Sequence, residues 1–191
     1  MDRICVVGAS GFLGKFICNS LKTEYALYEF NSKTCNVKST ESVDKCIKDA
    51  CPYGLVYCSG IKTEGDSLAD EDVLKELLDV NLFGAVRCMQ TAMKYGVRKI
   101  VTIGSADATF GNYKKTMYAV SKAALHEYTK CFAAQVKSLG IDVFCLVPGT
   151  ISTELEAMAI ADFVKAFMNG TIRNINSQLI RIDGGHHTFP L

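Results

Sequence analysis

The chain has 191 residues and a formal net charge of +1; 49% of its residues are hydrophobic and 21% are charged. This size and apolar content predict one domain over residues 1–191 with a substantial core. The mixed charges exclude a nucleic-acid binder with a basic footprint, and no apolar run approaches the ~20 residues that cross a bilayer. We therefore expect neither nucleic acid nor a membrane as a partner.

Apolar runs and periodic segments predict strands that alternate with helices along the chain. The predicted strands span residues 4–7, 25–30, 54–58, 100–104, 141–147 and 179–182. The predicted helices span residues 15–23, 42–50, 70–95, 118–139 and 156–168. Alternation of this kind is typical of an α/β fold, with a doubly wound parallel sheet and helices on both of its faces.

The nine cysteines lie mostly in apolar segments, their count is odd and no Cys-x-x-Cys pair occurs. We interpret them as small buried hydrophobic residues in a reducing compartment. Met1 to Ile4 lead directly into the first strand without a signal-peptide pattern, so a cytoplasmic location is expected. His186 and His187 hint at a metal, but no second ligand cluster supports it, and we expect no metal site.

The turn after the first predicted strand carries Gly8, Gly11 and Gly14 at three-residue intervals. Glycines at a strand-to-helix turn let the backbone approach a ligand, and the helix N-terminus offers free N–H groups and a positive dipole end. A glycine triplet by itself is common in tight turns. At the first turn of an alternating chain it indicates a site for the pyrophosphate of a dinucleotide.

Tyr118 stands four residues before Lys122, and Ser105 lies thirteen residues before Tyr118. On a helix this spacing places the phenol and the ammonium group on one face. Lowering a tyrosine pKa from ~10 to ~7 takes roughly 4 kcal/mol, which a unit charge ~4 Å away supplies at an effective dielectric constant of ~20. The lysine can thus convert the phenol into a general acid or base, while the serine hydroxyl holds a substrate oxygen.

Tyr95 and Lys99 have the same spacing, but Gly96 follows the tyrosine and Lys99 begins an apolar run. We expect this second pair to straddle a helix end and a strand start, so that its side chains need not meet. Leu82 stands thirteen residues before Tyr95, and therefore only Tyr118 has the complete set of three residues.

These residues, in this order, resemble the short-chain dehydrogenase/reductase family from Ile4 to Gly185. Three further segments match that family: residues 80–84 with Asn81, residues 147–153 with a Pro-Gly pair, and residues 182–185. The resemblance implies a Rossmann-like sheet of about seven strands. It also implies an NAD(P)(H)-dependent oxidoreductase that interconverts a carbonyl and an alcohol in a small-molecule substrate.

The resemblance implies catalytic roles for four residues. Tyr118 would donate or accept the proton, Ser105 would orient the substrate oxygen, and Lys122 would bind the nicotinamide ribose and lower the Tyr118 pKa. Asn81 would help to hold a proton-relay water. The structural alternatives are that Asn81 ties a helix kink, that Ser105 caps its strand and that Pro148-Gly149 is an ordinary loop. The residues expected to contact the cofactor are Gly8, Ser10, Gly11, Phe12, Leu13, Gly14, Ser32, Lys33, Ser59, Gly60, Asn81, Tyr118, Lys122, Pro148, Gly149, Ile151 and Thr153.

The residues that follow the second predicted strand bear on the choice of cofactor. An acidic residue there favours NAD, and a basic residue favours the 2′-phosphate of NADP. The register places Ser32 and Lys33 near the adenosine ribose, with Glu29 inside the strand. NADP(H) is therefore favoured over NAD(H), which stays the alternative.

The chain departs from the family pattern in four places. One is that the usual Asn-Ala-Gly after the fourth strand is Cys58-Ser59-Gly60 here. The glycine spacing of the chain is commoner among extended and atypical members, so an epimerase- or dehydratase-like enzyme is one alternative. Between Phe30 and residues 36–39 there is no room for the helix that usually joins strands two and three. The substrate-covering loop after Thr153 is almost missing, which predicts an open cleft.

An open cleft has three explanations: a bulky or carrier-borne substrate, a lid from another subunit, or lost turnover. The last of these leads to a second alternative, a non-catalytic NAD(P)-binding sensor or scaffold protein. The predicted helices over 70–95 and 118–139 correspond to the dimer faces of the family. A homodimer or homotetramer is therefore expected by resemblance.

Overall fold

The computed structural model describes residues 1–63 and 71–185. The strands in these ranges are β1 Arg3–Val7, β2 Ala26–Phe30, β3 Gly54–Tyr57, β4 Lys99–Ile103, β5 Asp142–Pro148 and β6 Leu179–Ile182. All of them pair in parallel, in the order β2-β1-β3-β4-β5-β6. The strand order reverses between β1 and β3, and ligands of open α/β sheets bind at the carboxyl ends of the strands beside such a switch point.

Helices join the strands and cover the sheet. They are α1 Phe12–Leu21, α2 Thr40–Ala50, α3 Glu71–Leu78, α4 Gly84–Lys94, α5 Asp107–Phe110, α6 Thr116–Val136 and α7 Glu154–Met168. A π-helical turn over Asp79–Phe83 links α3 to α4, and a short 3-10 turn over Lys137–Leu139 extends α6.

Alternate residues along each strand face two separate cores. In β1, Cys5 and Val7 pack with helices α2, α4 and α6, whereas Ile4 and Val6 pack with α1 and α7. Burial on both faces explains why the central strands β1, β3, β4 and β5 are short, largely apolar runs in the sequence. Helices thus cover both sides of the sheet, and the prediction of a doubly wound α/β fold is confirmed.

The described residues form six strands, slightly fewer than the expected number of about seven, and residues 36–39, where the resemblance implies the family's third strand, contain a turn. Ser39 N donates to Asn36 O at 3.0 Å and Lys38 N donates to the Asn36 side chain at 3.1 Å. These backbone N–H groups are therefore satisfied within the turn and not by a neighbouring strand. Val37 packs on α4, where a Cβ at Gly84 would come within 3.0 Å of the valine Cβ. The segment that would add a strand beyond β2 is therefore docked on a helix.

Most predicted elements agree with the structure to within three residues. The long helix predicted over 70–95 is interrupted by the π-helical turn, and its first residue, Asp70, lies outside the described residues. Helix α5 is not predicted from the sequence. The second tyrosine–lysine pair behaves as expected, because α4 ends at Lys94 and β4 begins at Lys99.

All nine cysteines are free, and five of them are buried. In the part of the chain that the structure describes, no helix combines the length and the apolar character needed to cross a membrane. Within the same ranges, no group of three or more His, Cys, Asp or Glu side chains is arranged to hold a metal ion. His186 and His187 lie outside the described residues.

Candidate active site

A cleft of about 360 Å³ opens at the carboxyl ends of the central strands, beside the switch point between β1 and β3. Half of the predicted site residues line it. These are Phe12, Leu13, Gly60, Ser105, Tyr118, Lys122, Pro148, Gly149 and Ile151. The other nine are not among the lining residues, namely Gly8, Ser10, Gly11, Gly14, Ser32, Lys33, Ser59, Asn81 and Thr153.

The glycine turn is packed so tightly that side chains are excluded at two of its three glycines. Gly8 has φ +93°, and a Cβ there would lie 2.6 Å from Ser59 N. A Cβ at Gly14 would lie 2.2 Å from Gly8 O, so α1 packs directly on its own turn. Gly11 precedes α1 and has no side chain to cap it. The start of α1 therefore has the geometry that binds anions through backbone N–H groups.

Ser105, Tyr118 and Lys122 are brought together at the cleft, as their spacing predicts. Ser105 follows β4, whereas Tyr118 and Lys122 lie one turn apart on α6. The Lys122 side chain is 5% exposed; its Nζ donates to Ile103 O at 2.8 Å and lies 5.9 Å from the centre of the Tyr118 ring. The set is thus assembled from two elements that are distant in the sequence.

The pKa of Tyr118 is raised above its ordinary value of 10.0, mainly by burial. Hydrogen bonding with the Ser105 hydroxyl acts in the opposite direction, and the Asp107 carboxylate adds to the rise. The expectation that Lys122 lowers this pKa toward neutrality is wrong for this geometry. Burial of the phenol is the largest cause of the upward shift of its pKa. Lys122 is itself buried, donates to a backbone carbonyl and has its own pKa lowered by burial.

Asn81 lies in the π-helical turn and is fully buried. Its Nδ2 donates to Ile61 O at 3.0 Å and to Ser121 Oγ at 2.9 Å, and its Oδ1 accepts from Ile61 N at 2.9 Å. A Cβ at Gly60 would lie 3.2 Å from Asn81 Oδ1 and 3.3 Å from Lys122 Nζ. Asn81 therefore joins the chain after β3 to α6, directly behind the wall of the cleft.

Ser32 and Lys33 lie in an exposed turn after β2, outside the cleft lining. The Asn31 side chain shapes this turn by accepting from Lys33 N at 2.9 Å. The last residue of β2, Phe30, accepts through its carbonyl from Gly8 N at 2.8 Å. The end of β2 is thus hydrogen-bonded to the glycine turn, and the assignment of Ser32 and Lys33 to the adenosine end stays a prediction.

Only five residues, 149–153, connect β5 to α7. Thr153 caps α7: its Oγ1 accepts from Glu156 N at 3.3 Å, while Glu156 Oε2 accepts from Ser152 N and Thr153 N, each at 2.8 Å. These hydrogen bonds lower the pKa of Glu156 to about 2. The connection is therefore as short as the sequence predicts and has no room for a substrate-covering loop. The Thr153 hydroxyl serves as the N-cap of α7.

Sequence reasoning missed two buried polar residues on α6 that contact predicted site residues. Ser121 accepts from Asn81, as described above, and donates to Tyr118 O at 2.8 Å. His126 is 5% exposed, and its Nε2 accepts from Ser105 N at 3.2 Å. The available signal was position, because His126 lies four residues after Lys122 and thus on the same helix face.

Comparison with known proteins gives three relevant similarities. A 3-oxoacyl-[acyl-carrier-protein] reductase from Vibrio harveyi is 28% identical over 127 residues, which cover 63% of this chain and 52% of that protein. ElxO with NADP bound has a TM-score of 0.87 at 20% identity, covering 99% of this chain and 100% of that one. A 3-ketoacyl-(acyl-carrier-protein) reductase from Brucella melitensis complexed with NADH has a TM-score of 0.88 at 15% identity, covering 96% and 97% of the two chains.

The two solved structures share the fold of this protein. Because their sequence identity is low, this similarity shows a common fold and nothing about substrate or cofactor. The chain spans about half the length of the curated relatives it matches. The sequence model of the short chain dehydrogenase family matches residues 29–162, which include Asn81, Ser105, Tyr118 and Lys122. The chain therefore belongs to the short chain dehydrogenase family.

Proposed function

We propose that the protein is an NAD(P)(H)-dependent oxidoreductase that interconverts a carbonyl and an alcohol in a small-molecule substrate. The observation that carries this proposal is the joining of Ser105, Tyr118 and Lys122 at one cleft beside the glycine turn. The proteins it resembles include reductases of 3-oxoacyl groups and structures with bound NADP or NADH.

The glycine turn fits the pyrophosphate of such a cofactor. The lack of room for a Cβ at Gly8 and Gly14, together with the uncapped start of α1, leaves a cradle of backbone at the N-terminus of a helix. Pro148, Gly149 and Ile151 would line the nicotinamide end of the cleft. When bound, the nicotinamide supplies or accepts the hydride.

In the reductive direction, Tyr118 acts as the proton donor. Because burial raises its pKa, the phenol is protonated at neutral pH and is ready to give its proton to a carbonyl oxygen that receives negative charge. The Ser105 hydroxyl orients that oxygen and then stabilises the phenolate that remains on Tyr118. Lys122 binds the ribose and adds positive charge on the same side. Asn81 supports the Gly60 wall beside Lys122.

The raised Tyr118 pKa predicts the pH dependence of reduction. The protonated form is the active one, so activity is retained below the pKa and lost as the pH rises through it. We expect kcat/KM for carbonyl reduction to stay level from pH ~6 to ~9 and to fall only above pH 10, the ordinary value that burial raises. The measurement is the absorbance of the reduced cofactor across this range, with circular dichroism as the control for folding. A fall centred near pH ~7 would show that the phenol is activated toward neutrality instead.

Turnover itself is tested with the purified protein, NADPH or NADH, and a panel of ketones, aldehydes and 3-oxoacyl thioesters. We expect substrate-dependent oxidation of the reduced cofactor with at least one member of the panel. Tight cofactor binding with no oxidation across the panel would favour a sensor or scaffold protein. Product formation with no net oxidation of the cofactor would favour an epimerase- or dehydratase-like enzyme.

The sensor alternative is favoured by one observation, the five-residue connection between β5 and α7. Loops at this position exclude water and complete the site in many enzymes. We propose that a bulky or carrier-borne substrate, or another subunit, covers the cleft instead.

A homodimer or homotetramer is consistent with the exposed Phe83 and Val120 beside α4 and on α6. Nine free cysteines support a reducing, cytoplasmic location.

We propose further that NADP(H) is preferred over NAD(H). The support for this preference is that Lys33 is an exposed basic residue in the turn after β2, and that Phe30 O, at the end of β2, accepts from Gly8 N of the glycine turn. Replacing Lys33 with Ala should raise the Kd for NADPH about tenfold and leave the Kd for NADH unchanged, since one charge-assisted contact is removed. Titration calorimetry measures both constants. Lys45→Ala, an exposed lysine on α2, is the matched control. Equal affinities of the wild-type protein for the two cofactors would refute the preference.

A further inference from the structure

His126 is a buried histidine that the proposed proton transfer does not use. It lies on α6 one turn after Lys122, and 5% of its surface is exposed. Its Nε2 accepts a hydrogen bond from the backbone N–H of Ser105 at 3.2 Å. The histidine therefore contacts the backbone of a site residue and is not among the residues that line the cleft.

The Ser105 N–H needs such an acceptor because of its position at the end of β4. Gly104 N donates to Leu146 O at 2.7 Å and Ala106 N donates to Pro148 O at 2.8 Å, so both neighbours bond to β5. The N–H between them points toward the opposite neighbour, β3. That strand ends at Tyr57, which is paired with Thr102. His126 thus supplies the acceptor that β3 no longer provides, and a buried N–H without an acceptor is costly.

The space for the imidazole ring is created by Gly104. A Cβ at this position would lie 2.1 Å from His126 Nε2 and 2.9 Å from Cys145 Sγ, so a side chain there would force the imidazole ring to move. The ring reaches the Ser105 amide only because residue 104 is glycine. Gly104 thus provides the space for the hydrogen bond that its neighbour Ser105 donates to His126.

The ring is held in the neutral form that can accept this bond. Burial, followed by the charges of Lys122 and Lys130 on the same helix, lowers the pKa of His126 to about 4. The other titratable groups beside the ring are the Cys145 thiol on β5 and, through Ser105, the Tyr118 phenol. Protonation would place an N–H against the Ser105 N–H and break the contact.

We propose that His126 is a positioning residue: by accepting from the Ser105 amide, it fixes the Ser105 hydroxyl in line with the Tyr118 phenol and the substrate oxygen. Its effect on turnover rests on the proposed function. The hydrogen bond itself is testable without turnover, so the failure of either claim can be told from the failure of the other.

Two substitutions separate the acceptor from the volume of the ring. His126→Gln keeps an acceptor oxygen near the position of Nε2, whereas His126→Leu fills the space without one. Amide hydrogen exchange, followed by NMR, should show Ser105 protected in the wild-type protein and in H126Q, and exchanging at least ~10-fold faster in H126L. The Ala106 amide, bonded to Pro148 O, is the internal control. Unchanged protection of Ser105 in H126L overturns the proposal.

Kinetics give the second readout. H126L should lower kcat for carbonyl reduction by about 10-fold or more with the cofactor Kd unchanged, and H126Q should restore it to within about 3-fold of wild type. Wild-type activity should fall as the pH approaches 4, and that of H126Q should not. Equal losses of kcat in both variants would show that His126 only packs. If the wild-type protein reduces no carbonyl, the proposed function fails. Amide exchange then tests by itself whether His126 holds the Ser105 amide.

A wild-type titration covers the case in which H126L does not fold. The imidazole resonances of His126 and the amide resonance of Ser105 should shift together, with one midpoint near pH 4. A Ser105 amide that does not respond as His126 is protonated overturns the proposal.

Discussion

Replacing Tyr118 with Phe is expected to lower kcat by about 10³-fold while the Kd for the cofactor stays nearly unchanged. The substitution removes only the hydroxyl group. The ring remains, with Lys122 Nζ 5.9 Å from its centre and free to keep its bond to Ile103 O. What is lost is the proton donor and its hydrogen bond with Ser105. Water would have to supply the proton, without the orientation that Ser105 and Tyr118 provide.

The matched control is Tyr128→Phe, which removes a hydroxyl from the same helix outside the cleft lining. Its kcat should stay within about 2-fold of wild type, because the group takes no part in proton transfer. Reduced-cofactor absorbance gives kcat, and titration calorimetry gives the cofactor Kd. Turnover of Y118F at the rate of Y128F would contradict the assignment of Tyr118 as the general acid. A large rise in the cofactor Kd of Y118F would show instead that the phenol binds the nucleotide.

Asn81→Ala is expected to lower the free energy of unfolding by about 3 kcal/mol. The side chain is fully buried and makes three hydrogen bonds, two of them with the backbone of Ile61. Truncation leaves the Ile61 N–H and carbonyl without these partners and opens a small cavity. Each unsatisfied buried group costs roughly 1–3 kcal/mol, although water entering the cavity recovers part of that. Urea unfolding followed by circular dichroism measures the change.

Asn112→Ala is the control for removing an asparagine side chain near the site. Asn112 is half-buried and its Nδ2 donates to Asp107 Oδ1 at 2.9 Å. Its loss should cost no more than about 1 kcal/mol. A cost for N81A as small as that for N112A would mean that the bonds to Ile61 are readily replaced by water.

The kinetics of N81A separate the two interpretations of this residue. If Asn81 supports the wall that Gly60 and Lys122 form, kcat of the folded variant should fall about 10-fold, because Lys122 loses its fixed surroundings. If Asn81 only ties the π-helical turn, the folded variant should keep wild-type kcat.

The alternation of apolar segments predicted the architecture because the four central strands, β1, β3, β4 and β5, are buried on both faces. Val6 and Val7 go to different cores, so β1 reads as a continuous apolar run and not as an alternating one. Residues 36–39 show the limit of this reasoning. Val37 is apolar and buried, but it packs on α4, and no local pattern distinguishes burial under a helix from burial in a sheet.

Spacing alone was enough to bring Tyr118 and Lys122 to one helix face, because four residues make about one turn whatever the surroundings. It also separated the Tyr95–Lys99 pair, since the glycine between them ends a helix. It could not give the sign of the Tyr118 pKa shift. That sign depends on how much water the fold removes from the phenol and on where the ammonium of Lys122 points, and neither is a local property.

By itself, the sequence determined the doubly wound sheet, the glycine turn and the identity of the three residues at the cleft, because these follow from periodicity and fixed spacings along the chain. Only the tertiary structure decided that residues 36–39 stay out of the sheet, that Asn81 is fully buried, and that His126 reaches the amide of Ser105. These outcomes depend on contacts between residues that are far apart in the sequence. Packing and burial in the folded chain determine which residues meet, and no local sequence pattern shows it.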